Sequence, residues 1–252
     1  MSGFPADSRL VDRVVPSPNQ SGRVGHGRPD MIVLHYTGMT RAEDALERLC
    51  SREAKVSSHY LVYEDGRIYQ LVPEAVRASH AGVSSWEGET DINSRSIGIE
   101  IVNPGHDGGY PDFPAVQIDA VIALCRDILA RRPMRADRVV AHSDVAPSRK
   151  QDPGEKFPWP RLHAAGIGHW VEPVPMGADR GLAEGDHGPP VADLQKLFAE
   201  YGFGIAASGR FDQTMRDVVT AFQRHFRPAR VDGVADRSTV ETLRRLLSAR
   251  SA

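Results

Sequence analysis

Between residues 31 and 142, short apolar runs alternate with segments of helical spacing. Met31 to His35 is an apolar run closing on a histidine and reads as a buried strand, and Arg41 to Leu49 reads as a short helix. Two β-rich runs, Val56 to Tyr63 and Arg67 to Leu71, flank Glu64-Asp65-Gly66 and predict a hairpin. Ser96 to Val102 predicts another strand, its apolar run broken by Glu100. From Ala115 to Arg131, the residues Ile118, Val121, Ile122, Cys125, Ile128 and Leu129 recur at helical spacing, so this stretch predicts an amphipathic helix lying across a sheet. Arg138 to His142 predicts the last strand of the unit, and the residues before about 30 predict an irregular lead-in. Strands mixed with helices and one antiparallel hairpin imply an α/β domain, a mixed central β-sheet flanked by helices.

Gly and Pro dominate between Ala164 and Pro190, where no apolar period survives. Three helical stripes follow: Val191, Leu194, Leu197, Phe198 and Tyr201; Met215, Val218, Val219, Phe222 and Phe226; Val240, Leu243, Leu246 and Leu247. Ser238-Thr239-Val240-Glu241 has the spacing of a capping box at the start of the third. The chain is therefore expected to divide into a domain over 1–168, a linker over 169–182 and a small all-α three-helix domain over 183–252.

Composition narrows the function. A net charge of -2, without a run of Lys and Arg, gives no footprint for nucleic acid. No stretch approaches a membrane span, and the N-terminus lacks the basic and apolar regions of a secretory signal. As encoded the chain reads as cytoplasmic, with the periplasm or cell wall as the alternative if it is exported by another route. Cys50 and Cys125 fall in helical patterns, too far apart for a CxxC metal site, and read as small buried hydrophobes.

The chemistry-bearing residues lie at strand ends and in one loop. His35 and His142 each close an apolar strand, where sites on α/β sheets open, although either alone is more simply a satisfied core or rim histidine. Asp152, in Ser148-Arg149-Lys150-Gln151-Asp152-Pro153-Gly154, can fold back toward His142 or serve as an ordinary turn aspartate. Two imidazoles and a carboxylate can hold a zinc ion with one position left for water. Asp144 is a competing carboxylate, read as a capping or supporting group. Near such a water Glu100 could move a proton and Lys150 could stabilise an oxyanion; on a solvated face they are an ordinary carboxylate and lysine.

Five segments together resemble the zinc-dependent N-acetylmuramoyl-L-alanine amidases of the type 2 family, relatives of the peptidoglycan recognition proteins. They are Ile-Val-Leu-His35-Tyr-Thr, Ser-Ser-His59-Tyr, Ser-Ile-Gly-Ile-Glu100, Val-Val-Ala-His142-Ser-Asp and Lys150-Gln-Asp152-Pro-Gly, spread in family order over about residues 20 to 165. The resemblance implies one zinc per chain held by His35, His142 and Asp152, with Glu100 and Lys150 serving proton transfer and the oxyanion. It implies hydrolysis of the amide between the lactyl group of N-acetylmuramic acid and L-alanine, in peptidoglycan or its muropeptide fragments. Ala78-Ser79-His80-Ala81-Gly82 through Trp86 resembles the family's cleft wall, which implies contact of His80 and Trp86 with substrate, the alternatives being a loop hydrogen bond for His80 and a half-buried anchor for Trp86; His59 is expected to be structural or to support the site from behind.

The C-terminal phrases Val191-Ala-Asp-Leu-Gln195, Gly209-Arg-Phe211-Asp212, Ala221-Phe222-Gln223 and Val231-Asp232-Gly233 resemble a three-helix peptidoglycan-binding domain, which would raise local concentration on a polymer. The expected partner is peptidoglycan or muropeptides and the expected state a monomer. An inactive peptidoglycan sensor and a different zinc amidohydrolase remain alternatives at this point. The histidines at 26, 106, 163, 169, 187 and 225 have no partner visible in the sequence and receive no role.

Overall fold

The apolar run that closes on His35 lies between two parallel neighbours in a six-stranded sheet. The computed structural model describes residues 3–25 and 27–250. In chain order the strands are β1 (Arg13–Val14), β2 (Gln20–Ser21), β3 (Met31–Tyr36), β4 (Tyr60–Val62), β5 (Ile68–Gln70), β6 (Arg77–Ala78), β7 (Ser96–Ile101) and β8 (Val139–Ala141). The helices are α1 (Ala42–Cys50), α2 (Ile92–Arg95), α3 (Ala115–Arg131), α4 (His142–Val145), α5 (Trp159–Ala164), α6 (Pro189–Tyr201), α7 (Gln213–Phe226) and α8 (Arg237–Arg250).

The sheet order is β1-β5-β4-β7-β3-β8, and only the β4/β5 hairpin is antiparallel. Parallel strands are covered on both faces, which is why β3 is apolar at consecutive positions. Helix α3 covers one face: Ile118, Val121, Leu124, Cys125 and Ile128 share a core with Ile97, Ile99 and Ile101. Its Gln117 amide donates to the Val62 and Val102 carbonyls at 3.2 and 2.8 Å, tying the helix to the strand backbone. Leu61, which alternates with Tyr60 and Val62, belongs to a second cluster with Ala42 and Leu49 of α1.

Register positions the chemistry. β3 pairs with β7 from Met31↔Ser96 to Tyr36↔Ile101, which sets His35 beside Glu100. β8 pairs with β3 through Leu34↔Ala141, and His142 is the next residue. Three chemistry-bearing side chains therefore emerge together at the carboxyl ends of adjacent parallel strands, where open α/β sheets form their crevices.

The structure adds to the expectations or departs from them in four places. The lead-in contains β1, paired with β5, and β2, paired with β6; two-residue strands are too short to show a period. Helix α8 is capped by Asp236 rather than by a box at Ser238: the Asp236 carboxylate accepts from the Thr239 N–H at 2.8 Å, while the Ser238 hydroxyl donates to the Val174 carbonyl. Residues 169–182 contain no helix or strand but are packed down, with Trp170 stacked on Phe226 and the Val174 N–H donating to Thr242.

The fourth is Trp86, which takes the anchor reading and is not among the residues lining the cleft. Only 1% exposed, it meets Phe203 and Tyr201 of the helical module edge-on at ring-centroid distances of 5.2 and 6.1 Å. Gly202, at φ +135°, passes so close that a Cβ there would sit 2.7 Å from the indole. The indole is thus an anchor between the α/β domain and the module. Trp86→Ala is expected to cost about 3–5 kcal/mol in urea denaturation, as for other buried Trp truncations. A loss below about 1 kcal/mol, within the range of ordinary surface substitutions, would show that the module is not docked through this residue.

Candidate active site

One cleft of about 320 Å³ is lined by His35, Tyr36, His80, Glu100, His142, Arg149, Lys150 and Asp152, among others. The three expected ligands meet at its floor. His35 Nδ1 lies 2.8 Å from His142 Nδ1 and 3.1 Å from Asp152 Oδ2, and His142 Nδ1 lies 2.9 Å from the same oxygen. All three residues are buried.

The surrounding hydrogen bonds decide which ring nitrogens carry protons. Ser96 donates its hydroxyl to the Ile92 carbonyl at 2.5 Å, so its oxygen can only accept from His80 Nε2, 3.1 Å away. His80 Nδ1 is then bare and accepts from His35 Nε2 at 2.9 Å, which leaves His35 Nδ1 bare in turn. His142 Nε2 faces the Ala81 carbonyl at 3.1 Å and must donate to it, leaving its Nδ1 bare as well. Two imidazole lone pairs and a carboxylate oxygen then face one another with no proton between them.

A metal ion would resolve that repulsion, and His35, His142 and Asp152 are a group that could hold one. Ligand atoms of a tetrahedral site with bonds of about 2.0–2.1 Å stand roughly 3.3 Å apart, so the triangle needs only a slight opening. The electrostatics agree. Burial, with His142 beside it, pulls His35 down to about 4, and burial among the other histidines drives His80 well below its ordinary value. Burial alone would raise Asp152; positive charge or a proton on the His142 and His35 side lowers it far below the usual carboxylate range, so the carboxylate stays ionised and answers whatever cation, proton or metal, sits among the three.

Glu100 is half-buried beside this triangle, and its Oε2 is enclosed without a hydrogen-bond partner. Burial, then the nearby Asp152 charge, raises its pKa well above the ordinary value, with Lys150 opposing. A carboxyl so raised can hold a proton and release it within the cleft. Asp144, the competing carboxylate, is not part of the wall; its Oδ2 accepts from the Ala141 N–H at 2.8 Å, the capping role expected for it.

His80 lines the cleft beside His35, with its two ring nitrogens taken by His35 and Ser96. Its backbone N–H and that of Ala81 both donate to Asn93 Oδ1, at 2.9 and 2.8 Å. A Cβ at Gly98 would lie 2.5 Å from the His80 ring, so the glycine of Ile-Gly-Ile makes room for it. His59 is structural: Nδ1 accepts from the Gly98 N–H at 2.9 Å and Nε2 faces the Val76 carbonyl and Arg23. Of the unassigned histidines, His106 bridges Tyr36 and Glu155, and His225 reaches Asp144; His26 lies outside the described residues.

Comparison with known proteins agrees with this geometry. Residues 25–155 match the family model described as N-acetylmuramoyl-L-alanine amidase. The chain is also 40% identical over 238 residues to the N-acetylmuramoyl-L-alanine amidase AmiD of Escherichia coli, covering 87% of this chain and 83% of that protein. This chain belongs to the N-acetylmuramoyl-L-alanine amidase family. Residues 187–243 of the amidase match a putative peptidoglycan binding domain. The 1,6-anhydro-N-acetylmuramyl-L-alanine amidase AmpD of Salmonella typhimurium is 36% identical over 180 residues, 64% of this chain and 94% of its own. AmpDh3 of Pseudomonas aeruginosa superposes with a TM-score of 0.76 at 37% identity, covering 91% of this chain and 95% of that one. AmiD solved with anhydro-N-acetylmuramic acid-L-Ala-D-gamma-Glu-L-Lys superposes with a TM-score of 0.74 at 38% identity, covering 91% and 92%.

Two measurements probe the site directly. Ser96→Ala removes the acceptor that orders the histidine chain, and metal affinity measured by chelator competition should fall roughly 10- to 100-fold; an unchanged affinity would refute the proton ordering. In metal-free protein the neutral, buried His35 and His59 are held at about 4 and about 3, against 6.5 when unfolded. Below pH 6.5 the unfolded chain therefore takes up protons that the folded chain refuses, and stability present above 6.5 is lost as the pH falls. Urea denaturation at pH 5 and pH 7 should differ by about 2 kcal/mol for each of these histidines, less stable at pH 5.

Proposed function

We propose that the chain is a zinc-dependent amidase that cleaves the bond between the lactyl group of N-acetylmuramic acid and L-alanine in peptidoglycan or its muropeptide fragments. The observation that carries this reading is the triangle of proton-free ligand atoms on His35, His142 and Asp152, set beside a carboxyl whose pKa is raised. Of that family, AmiD has been solved with an anhydro-muramyl tripeptide and AmpDh3 with an anhydromuramic pentapeptide, which supports muropeptides as the substrate class. Residues 1–168 would form the catalytic domain, and 183–252, joined by 169–182, a module for the wall polymer.

The chemistry that zinc would supply at this site is polarisation of the scissile carbonyl and acidification of water toward a pKa of about 7. The residues of the chain supply the rest. Glu100 takes a proton from the attacking water and returns it to the departing L-alanine nitrogen, a role suited to a carboxyl that is easily protonated in its enclosed setting. Lys150, on the cleft wall, would offer its ammonium to the negative charge that grows on the carbonyl oxygen. His80 keeps His35 in the ligating tautomer.

The presence of all three ligand residues together with Glu100 and Lys150 favours an enzyme over a sensor that only binds the wall. Purified protein is expected to contain about one zinc per chain and to release stem peptide from muropeptides, followed by mass spectrometry, with loss of activity on chelation. His35→Ala should lose both metal and activity. Glu100→Gln should keep the metal while turnover falls by about 10²–10⁴-fold. Full activity in a His35→Ala protein shown to be free of metal would sink the mechanism.

A further inference from the structure

Asp144 is fully buried, two residues after the proposed ligand His142, and takes no part in the hydrolysis described above. A buried carboxylate is costly unless it is paired. Its Oδ2 accepts from the Ala141 N–H and, at 2.7 Å, from His225 Nδ1, while its Oδ1 has no partner. His225 belongs to α7 of the helical module and is itself only 2% exposed. Its ring lies nearly flat on Trp159 at a centroid distance of 3.7 Å, which fixes the direction of Nδ1.

The preceding residue of α7 reaches the other ligand segment. Arg224 Nη2 donates to Gln151 Oε1 at 3.3 Å, and its Nε stands 3.4 Å from Glu155 Oε2 as an ion pair without hydrogen-bond alignment. Gln151 immediately precedes Asp152, and Glu155 follows it by three positions. Glu155 is also held by His106 Nε2 at 3.2 Å, and His106 Nδ1 accepts from the Tyr36 hydroxyl next to His35.

We propose that α7 of the C-terminal module is a structural part of the metal centre, in which His225 positions His142 through Asp144 and Arg224 positions Asp152 through Gln151 and Glu155. The inference rests on the metal site proposed above and extends it to a second domain. Asp144 caps the turn of α4 that begins with His142; without His225 its carboxylate must find water or swing out, and the turn moves with it. A ligand set tolerates only about 0.5 Å of such movement. A module that served purely as a tether would alter the hydrolysis of polymer and leave metal affinity untouched.

The test uses full-length protein. His225→Phe keeps a ring on Trp159 and removes the donor, whereas His225→Asn places an amide N–H close to the position of Nδ1. Zinc affinity is measured by chelator competition, folding of the metal-free protein by its Tm, and kcat and KM on a soluble muropeptide. His225→Phe is expected to bind zinc about 10- to 100-fold more weakly and to lose kcat with little change in KM, while His225→Asn recovers affinity to within about threefold of wild type. Arg224→Gln, at a half-buried position, should weaken zinc several-fold and decides the matter if His225→Phe does not fold. Wild-type zinc affinity in both His225→Phe and Arg224→Gln would overturn the proposal, as would equal loss in the Phe and Asn variants. A wild-type protein that binds no zinc would instead overturn the metal reading on which it rests.

Discussion

His35, His142 and Asp152 bring three electron pairs into a space from which every proton has been assigned elsewhere, and such a cluster repels itself until a cation fills it. Much of the surrounding structure can be understood as the means of holding that repulsive arrangement in place. The sheet delivers two of the side chains at strand ends, the loop after α4 delivers the third, and a chain of hydrogen bonds from the Ile92 carbonyl through Ser96 and His80 keeps His35 in the one tautomer that ligates. The same burial that keeps the histidines neutral also raises Glu100, so one dry environment suits both the proposed ligation and the proposed proton transfer.

The parts legible in the sequence are those governed by short-range pattern. Helix α3 runs over the residues its apolar spacing marks, the Asp65-Gly66 hairpin forms, and the three helices of the module lie on their apolar stripes. His35, Glu100 and His142 could be picked out because each interrupts or closes an apolar strand. What the sequence hid depends on long-range pairing. Trp86 carries no mark to tell a cleft wall from a domain contact, and that choice was made by Gly202 and Phe203, more than a hundred residues away. His225 looked unpartnered because both Asp144 and Trp159 lie on the other domain. His80 was visible as a residue of interest, but its task depends on Ser96, whose hydroxyl reads in the sequence as ordinary strand content.

The boundary between the two parts of the chain is correspondingly less sharp than composition implies. Trp86 against Tyr201 and Phe203, Arg250 against Glu87 and Asp137, and His225 against Asp144 and Trp159 seat the helices on the α/β domain with aromatic, ionic and hydrogen-bonded contacts. The segment between them is packed rather than free, through Trp170 and Val174. An interface of this kind resists the independent swinging that a Gly- and Pro-rich connection would otherwise allow.

The pairing of His35 with Glu100 across β3 and β7 has a consequence for folding itself. Side chains alternate between the two faces of a strand, so displacing β7 by a single residue would turn Glu100 toward α3 and present an isoleucine beside the ligands. The same slip would force Ile97, Ile99 and Ile101 out of the apolar layer they share with that helix. Hydrophobic packing thus acts as a proofreader for catalysis: the misaligned sheet that would be chemically dead is also the one that water penalises most.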